Sequence, residues 1–317
     1  METLTMSTLS FSVINWPLCV CNIIANSFFA FCIICRTSNN DGPKQPVKIL
    51  LNSLVFCNTV YLLFLIGFKF VDHDDGDVKL LYVTLGILYY TVSTSMSTSV
   101  WLAFFYFTQI VPVKRAFFIW VKKNMKSIIY AVLVFDRLFF LFELTVKLVL
   151  QCSSPWTGPT NYNVTLSNVT DDDNGSPNSF SRSTLIHVYI VCLALEFIYV
   201  FFCLCVMMGS CFTTACYLQR HIRSLSATGC VSSRLDSQIR VTITGILQGV
   251  LFLLCQVYLF SSFFTTVFSN VTIHVYFSFT VVSIYVTGTT INLGVGQTLF
   301  RQRAVYVCSK ISKLMTM

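Results

Sequence analysis

Five charged residues lie inside long apolar stretches of the chain: Asp136, Arg137, Glu143, Lys147 and Glu196. A charge in such surroundings costs at least about 2.5 kcal/mol at the centre of a bilayer, so it is expected to have a partner or a function. Glu143 and Lys147 stand four residues apart with the acid first, which favours an ion pair on one helix. Glu196 lies about 17 Å along its predicted helix, at pocket depth. The pattern predicts that Glu196 either binds a protonated amine or pairs with Arg137 or Lys147.

A second polar group consists of three tyrosines followed by a run of Ser and Thr between residues 93 and 99. Hydroxyls on both faces of one helix mean that some point into the protein, which favours the wall of an amphipathic pocket. Close packing of helices through small residues explains the Ser/Thr run equally well. The predicted ligand-binding residues are Tyr82, Tyr89, Tyr90, Ser93 and Glu196.

The sequence contains none of the catalytic motifs for which we searched. The zinc-protease motif His-Glu-x-x-His, the nucleophile motif Gly-x-Ser-x-Gly and a phosphate-binding glycine-rich loop are all missing. The four histidines, His73, His187, His221 and His274, are far apart in the chain. We expect no enzyme activity, no cofactor and no metal site.

The elements that must position these residues are membrane helices. Of the 317 residues, 55% are hydrophobic and 11% charged, against about 25% charged in a soluble domain. Apolar spans of about 20 residues cross a bilayer as helices, because lipid offers no partners for backbone polar groups. The sequence predicts an all-α, seven-transmembrane bundle in a single domain. Its helices are predicted near residues 11–35, 49–71, 80–111, 127–150, 185–218, 241–268 and 273–299, with a short amphipathic tail at 300–317.

Charge predicts the orientation of these spans. The connections on one side contain sixteen Lys and Arg residues against Asp41 and Asp236, whereas the other side has three basic and eight acidic residues. Basic connections stay in the cytoplasm. We expect a multi-pass plasma-membrane protein with an extracellular N-terminus and a cytoplasmic C-terminus. The net charge of +8 then faces anionic lipid rather than nucleic acid.

Glycosylation sequons predict the same orientation. The acceptor residues Asn163, Asn168 and Asn270 all fall on the acidic side, where glycosylation takes place. Cys152 is the only cysteine in an outer connection, and none lies near the outer end of the third span. The loop-to-helix disulfide of rhodopsin-like receptors is therefore not expected.

Motifs at the inner end of the third span resemble those of bitter (type 2) taste receptors. Phe105-Tyr106 is followed by Phe118-Ile119-Trp120-Val121-Lys122, similar to the Phe-Tyr and Phe-x-Trp-Leu-Lys of that family. Leu218-Gln-Arg-His221, Ala227-Thr-Gly-Cys230 and Arg240 are similar to its Leu-x-Arg-His, Ala-Thr-Gly-Cys and His-Val-Arg loop without a gap. The marks of rhodopsin-like receptors, Asp-Arg-Tyr and Asn-Pro-x-x-Tyr, are missing.

The resemblance implies a G-protein-coupled receptor for small organic agonists with a gustducin-like G protein as its partner. The coupling residues would be Tyr106, Arg220, His221, Arg223 and Arg240. Without the resemblance, Tyr106 would be an interfacial aromatic anchor and the basic residues topology determinants.

Departures from the family pattern indicate a divergent member, of a fish-like lineage. Asn58, Gln109 and Gln238 replace the family's Arg, Lys and His, and Thr287-Gly288 replaces His-Ser. A pheromone-type vomeronasal receptor is the alternative, and a small-molecule transporter or channel is a more distant one. Within the spans, Asn26, Asn58 and Asn292 form either a switching network or ordinary interhelical hydrogen bonds.

Overall fold

The computed structural model describes residues 3–4, 6–34, 45–73, 78–112, 116–153, 177–226, 233–268, 272–273 and 275–315. Within these ranges the chain forms eight helices and one pair of two-residue strands. The helices are α1 (Thr8–Ile34), α2 (Gln45–His73), α3 (Val78–Ile110), α4 (Ala116–Ser153), α5 (Pro177–Ser226), α6 (Ser233–Phe268), α7 (Val275–Gly296) and α8 (Thr298–Met315). Strand β1 (Thr3–Leu4) pairs in parallel with β2 (Thr272–Ile273). We call the end of the bundle at which α1 begins the outer end, and the opposite end the inner end.

The first seven helices form the predicted bundle, although they differ in polarity. By length and composition, α1, α2, α5, α6 and α7 are each apolar enough to cross a bilayer. The polar middle of α3 and the charges of α4 lower the hydropathy of these two helices. Their polar side chains turn inward, since Thr94, Ser97, Asp136 and Glu143 are all buried. The predicted all-α seven-helix fold with a tail helix is confirmed.

α3 lies at the centre of the bundle, where it packs against α2, α4, α5 and α6. α1 packs against α2 and α7, and α8 folds back onto α1 and α7. One apolar core occupies the outer and middle parts and includes Phe68, Met96 and Phe252. A second core occupies the inner part, where Phe29 and Phe300 stack with their ring centroids 4.3 Å apart. The two cores together contact α3 from Leu81 to Tyr106.

α4 begins at Ala116, well before the predicted start at residue 127. Val121, Met125, Ile129 and Leu133 are buried at intervals of four residues, the period of one helix face. The basic residues between them are exposed and depress the hydropathy without breaking the helix. α5 is longer than the predicted helix 185–218 at both ends, and α6 starts before the predicted residue 241. The reason is the same, because hydropathy marks the apolar part of a helix and not its ends.

The predicted seventh helix, 273–299, is divided at Gln297, after which α8 starts a new direction. α7 and α6 approach each other closely just before this break. A Cβ on Gly296 would lie 2.7 Å from Thr244 Oγ1, so a larger residue here would have to displace the Thr244 side chain.

Candidate functional site

An ionic cluster joins α3, α4 and α5 in the outer half of the bundle. The ammonium of Lys147 lies 2.5 Å from Glu143 Oε1 and 3.9 Å from Glu196 Oε2. The hydroxyl of Tyr89 donates a hydrogen bond of 3.2 Å to Glu143 Oε1, and Lys147 Nζ stands 3.7 Å from the centre of the Tyr89 ring. We call Tyr89, Glu143, Lys147 and Glu196 the outer ionic cluster.

Helical spacing brings these residues together. On α4, Asp136, Phe140, Glu143 and Lys147 follow one another at intervals of four, three and four residues, which places them on one face. On α5, Cys192, Glu196 and Tyr199 follow the same rule. The two faces meet, since the rings of Phe140 and Tyr199 contact edge to face at 5.8 Å.

The outer ionic cluster contains two carboxylates and one ammonium. Glu143 is 1% exposed and Glu196 is 19% exposed. Lys147 contacts Glu143 directly, so Glu196 receives the weaker compensation. Glu143 Oε2 is buried and has no hydrogen-bond partner among the described residues. Two carboxyl groups thus share one ammonium, and burial among apolar side chains makes a second negative charge costly.

Deeper in the bundle, Asp136 is enclosed by hydroxyl groups. Tyr199 OH donates to Asp136 Oδ1 at 2.6 Å, and Ser97 Oγ donates to Asp136 Oδ2. Arg137 turns to the other side of α4, where its guanidinium donates to Ser53 Oγ and to Cys57 Sγ of α2. Arg137 is thus engaged away from Glu196. Glu196 forms an ion pair with Lys147 at 3.9 Å, so the predicted pairing with Lys147 is confirmed and that with Arg137 is not.

The structure separates the predicted ligand-binding residues. Tyr89 and Glu196 belong to the outer ionic cluster, whereas Tyr90 interacts with Arg137. Tyr82 and Ser93 are half-buried on α3. Half of the Ser/Thr run bonds to its own helix, since Thr94, Thr98 and Ser99 donate to backbone carbonyls one turn earlier. Ser95 and Ser97 instead donate to Asn58 and Asp136 of the neighbouring helices.

The sequence predicts an ion pair between Glu143 and Lys147 within one helix, and it does not identify Tyr199 as a residue of the site. The i, i+4 spacing of Glu143 and Lys147 correctly predicts their pair, but the approach of Lys147 to Glu196 depends on how α4 and α5 pack. The spacing of Tyr199, three residues after Glu196, was the available signal for a shared face.

At the inner end, Tyr106 is half-buried, and its hydroxyl accepts a hydrogen bond of 2.6 Å from Gln297 Nε2. Between α6 and α7, Gln248 donates to Thr289 Oγ1 at 2.9 Å and accepts from Asn292 Nδ2 at 3.2 Å. Tyr285 OH continues this network to Ser99 of α3 at 3.4 Å. Hydrogen bonds thus tie α3, α6 and α7 together in the middle of the bundle, and the bond between Tyr106 and Gln297 lies at its inner end.

The three asparagines singled out in the sequence, Asn26, Asn58 and Asn292, do not form one network among the described residues. Asn58 accepts a hydrogen bond of 2.7 Å from Ser95, and Asn292 bonds to Gln248. The side chain of Asn26 is fully buried, with no hydrogen-bond partner among the described residues for either polar atom. Asn58 and Asn292 each link a pair of helices, as interhelical hydrogen bonds ordinarily do.

The remaining predicted residues lie at the ends of helices or beyond the described ranges. Arg220, His221 and Arg223 are exposed on the inner part of α5, and Arg240 is half-buried on α6. The ring of His221 contacts the edge of Tyr217 at 5.9 Å. Asn163, Asn168 and Asn270 lie outside the described residues, as does the side chain of Cys152.

Seven long helices around a polar central helix, with charges confined to the bundle interior and the helix ends, define a multi-pass membrane protein of the G-protein-coupled receptor class. The model of the taste receptor protein family (TAS2R) matches residues 1–312. The chain therefore belongs to the bitter taste receptor family, as the inner motifs predicted. Comparison with individual curated proteins gives no match. The family that matches is a family of taste receptors. It is not the pheromone-type vomeronasal family that the sequence analysis gave as the alternative.

Proposed function

We propose that this receptor binds small organic agonists in the outer half of its bundle and activates a gustducin-like heterotrimeric G protein at its inner end. The observation that carries the proposal is the position of α3. Its outer half contributes Tyr89 to the outer ionic cluster, and its inner end contributes Tyr106 to the bond with Gln297. One rigid helix thus touches both proposed sites.

The incomplete pairing of charges in the outer ionic cluster supports ligand binding in the outer half of the bundle. A fully compensated set of charges would indicate a structural role. Here one carboxylate oxygen, Glu143 Oε2, has no hydrogen-bond partner among the described residues. Glu196 lies 3.9 Å from the ammonium of Lys147, which pairs more closely with Glu143. Half-buried Tyr82 and Ser93 lie on the neighbouring turns of α3. Such a mixture of aromatic, hydroxyl and charged groups is typical of sites for small organic molecules.

The inner end supports coupling through the length of α5. Its 50 residues correspond to about 75 Å at 1.5 Å per residue, whereas the apolar core of a bilayer is about 30 Å thick. The inner part of α5 therefore extends past the membrane. Arg220, His221 and Arg223 are exposed there, where a soluble partner can contact them.

The proposed mechanism is a shift between two arrangements of the helices. An agonist that binds the active arrangement more tightly shifts the equilibrium by the difference between its two affinities. The hydrogen bonds of Gln248 in the middle of the bundle and of Tyr106 at its inner end are the contacts that such a shift would change. In this scheme the receptor lies in the plasma membrane, with its outer end extracellular and α8 in the cytoplasm.

The test is expression of the full chain in cells that also contain a gustducin-like G protein. Application of a panel of bitter organic compounds should evoke a second-messenger response in these cells. Cells with the G protein alone are the control. Chain-dependent uptake or current, with no second-messenger response from surface-expressed protein, would reject the proposal in favour of a transporter or channel.

A further inference from the structure

α4 and α5 leave an apolar groove between their outer halves, on the outside of the bundle. Its volume is about 450 Å³, and it is lined by Phe142 of α4 and by His187, Val188, Val191, Cys192 and Leu195 of α5, among others. Val191 is 57% exposed and Leu195 is 48% exposed. Since both helices belong to a membrane bundle, the groove opens sideways toward lipid chains and not toward water.

The inner wall of this groove adjoins the outer ionic cluster. Cys192 lines the groove, is itself buried, and interacts electrostatically with both Glu143 and Lys147. Glu143 and Glu196 are not among the residues that line the groove. Cys192 stands one helical turn before Glu196, on the same face of α5. Cys192 therefore connects the wall of the groove with the outer ionic cluster.

The charges of this site are complementary to a cation. Lys147 is 2.5 Å from Glu143 and 3.9 Å from Glu196, so its ammonium compensates Glu143 first. A second ammonium beside Glu196 would stabilise the ionised form of that carboxylate. Glu196 retains 19% exposure, which leaves its carboxylate accessible.

We infer that the groove between α4 and α5 binds lipophilic amines, with the protonated nitrogen at Glu196 and the apolar body along Phe142, Val188, Val191 and Leu195. The amine reaches the site from the membrane, because the groove opens on the lipid-facing surface. As a statement about agonists, the inference rests on the proposed function. As a statement about binding, it rests on the groove and its charges alone.

The test uses the purified full chain in nanodiscs of neutral lipid. The probes are a dansyl-tagged alkyl primary amine and its N-acetylated, neutral counterpart, whose fluorescence rises in apolar surroundings. The binding signal is the increase over empty nanodiscs. In the unaltered chain the amine should bind more tightly than the acetylated probe by about ten- to a hundredfold, the range of a charge-assisted hydrogen bond.

Two variants separate the charge from the groove. Glu196→Gln should reduce amine affinity to that of the acetylated probe and leave the acetylated probe unchanged. Val191→Trp should fill the groove and lower the affinity of both probes. Ile190→Trp is the matched control, since Ile190 is 45% exposed on the neighbouring position but does not line the groove, and it should bind both probes normally.

Equal affinity of the two probes for the unaltered chain would overturn the inference without the need for any variant. Unchanged amine binding in Glu196→Gln, or equal losses in Val191→Trp and Ile190→Trp, would also overturn it. The assay contains neither G protein nor agonist response. A receptor that binds the amine selectively but never signals would contradict the proposed function and support the groove, whereas signalling without amine selectivity would do the reverse.

Discussion

The side-chain amide of Gln297 donates a hydrogen bond of 2.6 Å to the hydroxyl of Tyr106. This bond joins the inner end of α3 to the single residue between α7 and α8. Tyr106 belongs to the Phe-Tyr motif that the family resemblance identified for coupling, whereas Gln297 has no part in that motif. The bond therefore assigns the motif tyrosine a partner that no sequence pattern indicated.

We expect Tyr106→Phe to raise agonist-independent signalling. The substitution keeps the ring and removes only the hydroxyl, so α3 is no longer held to the α7–α8 junction. A single hydrogen bond contributes about 0.5–1.5 kcal/mol, which corresponds to about a two- to tenfold change in the ratio of the two arrangements. Basal second messenger, normalised to surface protein, is the measurement.

Gln297→Leu should have the same effect, because it removes the other partner of the bond. The double variant should signal no more than either single variant, as two changes that break one interaction are not additive. Additive increases, or a fall in basal signalling in both single variants, would show that the bond does not hold the inactive arrangement.

Removing the whole Tyr106 ring tests the coupling surface. Tyr106→Ala and His221→Ala should each lower agonist-driven signalling, because the exposed imidazole of His221 and the motif ring are the proposed contacts of the G protein. Surface expression and agonist occupancy should stay nearly intact. Parallel losses of signal and surface protein would instead indicate that these residues stabilise the fold or anchor it at the membrane interface.

The helical bundle could be predicted because lipid imposes a simple rule on the chain. Every backbone polar group must be satisfied within its own segment, so long apolar stretches such as that of α7 can only be helices. The ends of helices follow a different rule. The basic residues between Ala116 and Ser127 lie at the membrane surface, where hydropathy no longer reports helix formation, and the predicted start of α4 was late for that reason.

The candidate site was predictable only within single helices. Glu143 and Lys147 pair through local spacing, and their 2.5 Å contact confirms it. Whether Glu196 faced Arg137 or Lys147 depended on the rotation of α4 against α5. The spacing of residues within one helix does not determine how that helix is rotated against its neighbour. The structure places Arg137 on the α2 side and Lys147 on the α5 side of the same helix.

Glycosylation tests the orientation of the chain. Asn163 and Asn168 lie in the connection between α4 and α5, outside the described residues. If that connection is extracellular, glycosidase should shift the mobility of the protein on a gel. Asn163→Gln together with Asn168→Gln should remove most of the shift. An epitope inserted between residues 154 and 176 should be accessible on intact cells, and accessibility only after permeabilisation would reverse the proposed topology.

The pairing of Glu143 with Lys147 leads to a prediction about stability. Lys147→Met leaves Glu143, which is 1% exposed, without its cation, and breaking a buried pair costs about 3–5 kcal/mol. Since Lys147 is 22% exposed, we expect the lower end of that range. The measurement is the thermal unfolding of purified protein, together with the amount at the cell surface. Lys126→Met, the same change at an exposed position of α4, is the control and should have little effect.

Adding Glu143→Gln to Lys147→Met should restore most of the lost stability. The double variant buries an amide and a thioether, neither of which carries a charge, so the uncompensated carboxylate no longer opposes folding. The hydroxyl of Tyr89 can still donate to the amide oxygen that replaces Glu143 Oε1. If the double variant is as unstable as Lys147→Met alone, the loss comes from the packing of the lysine stem and not from the stranded charge. In that case the role of Lys147 as the counter-ion of Glu143 would have to be abandoned.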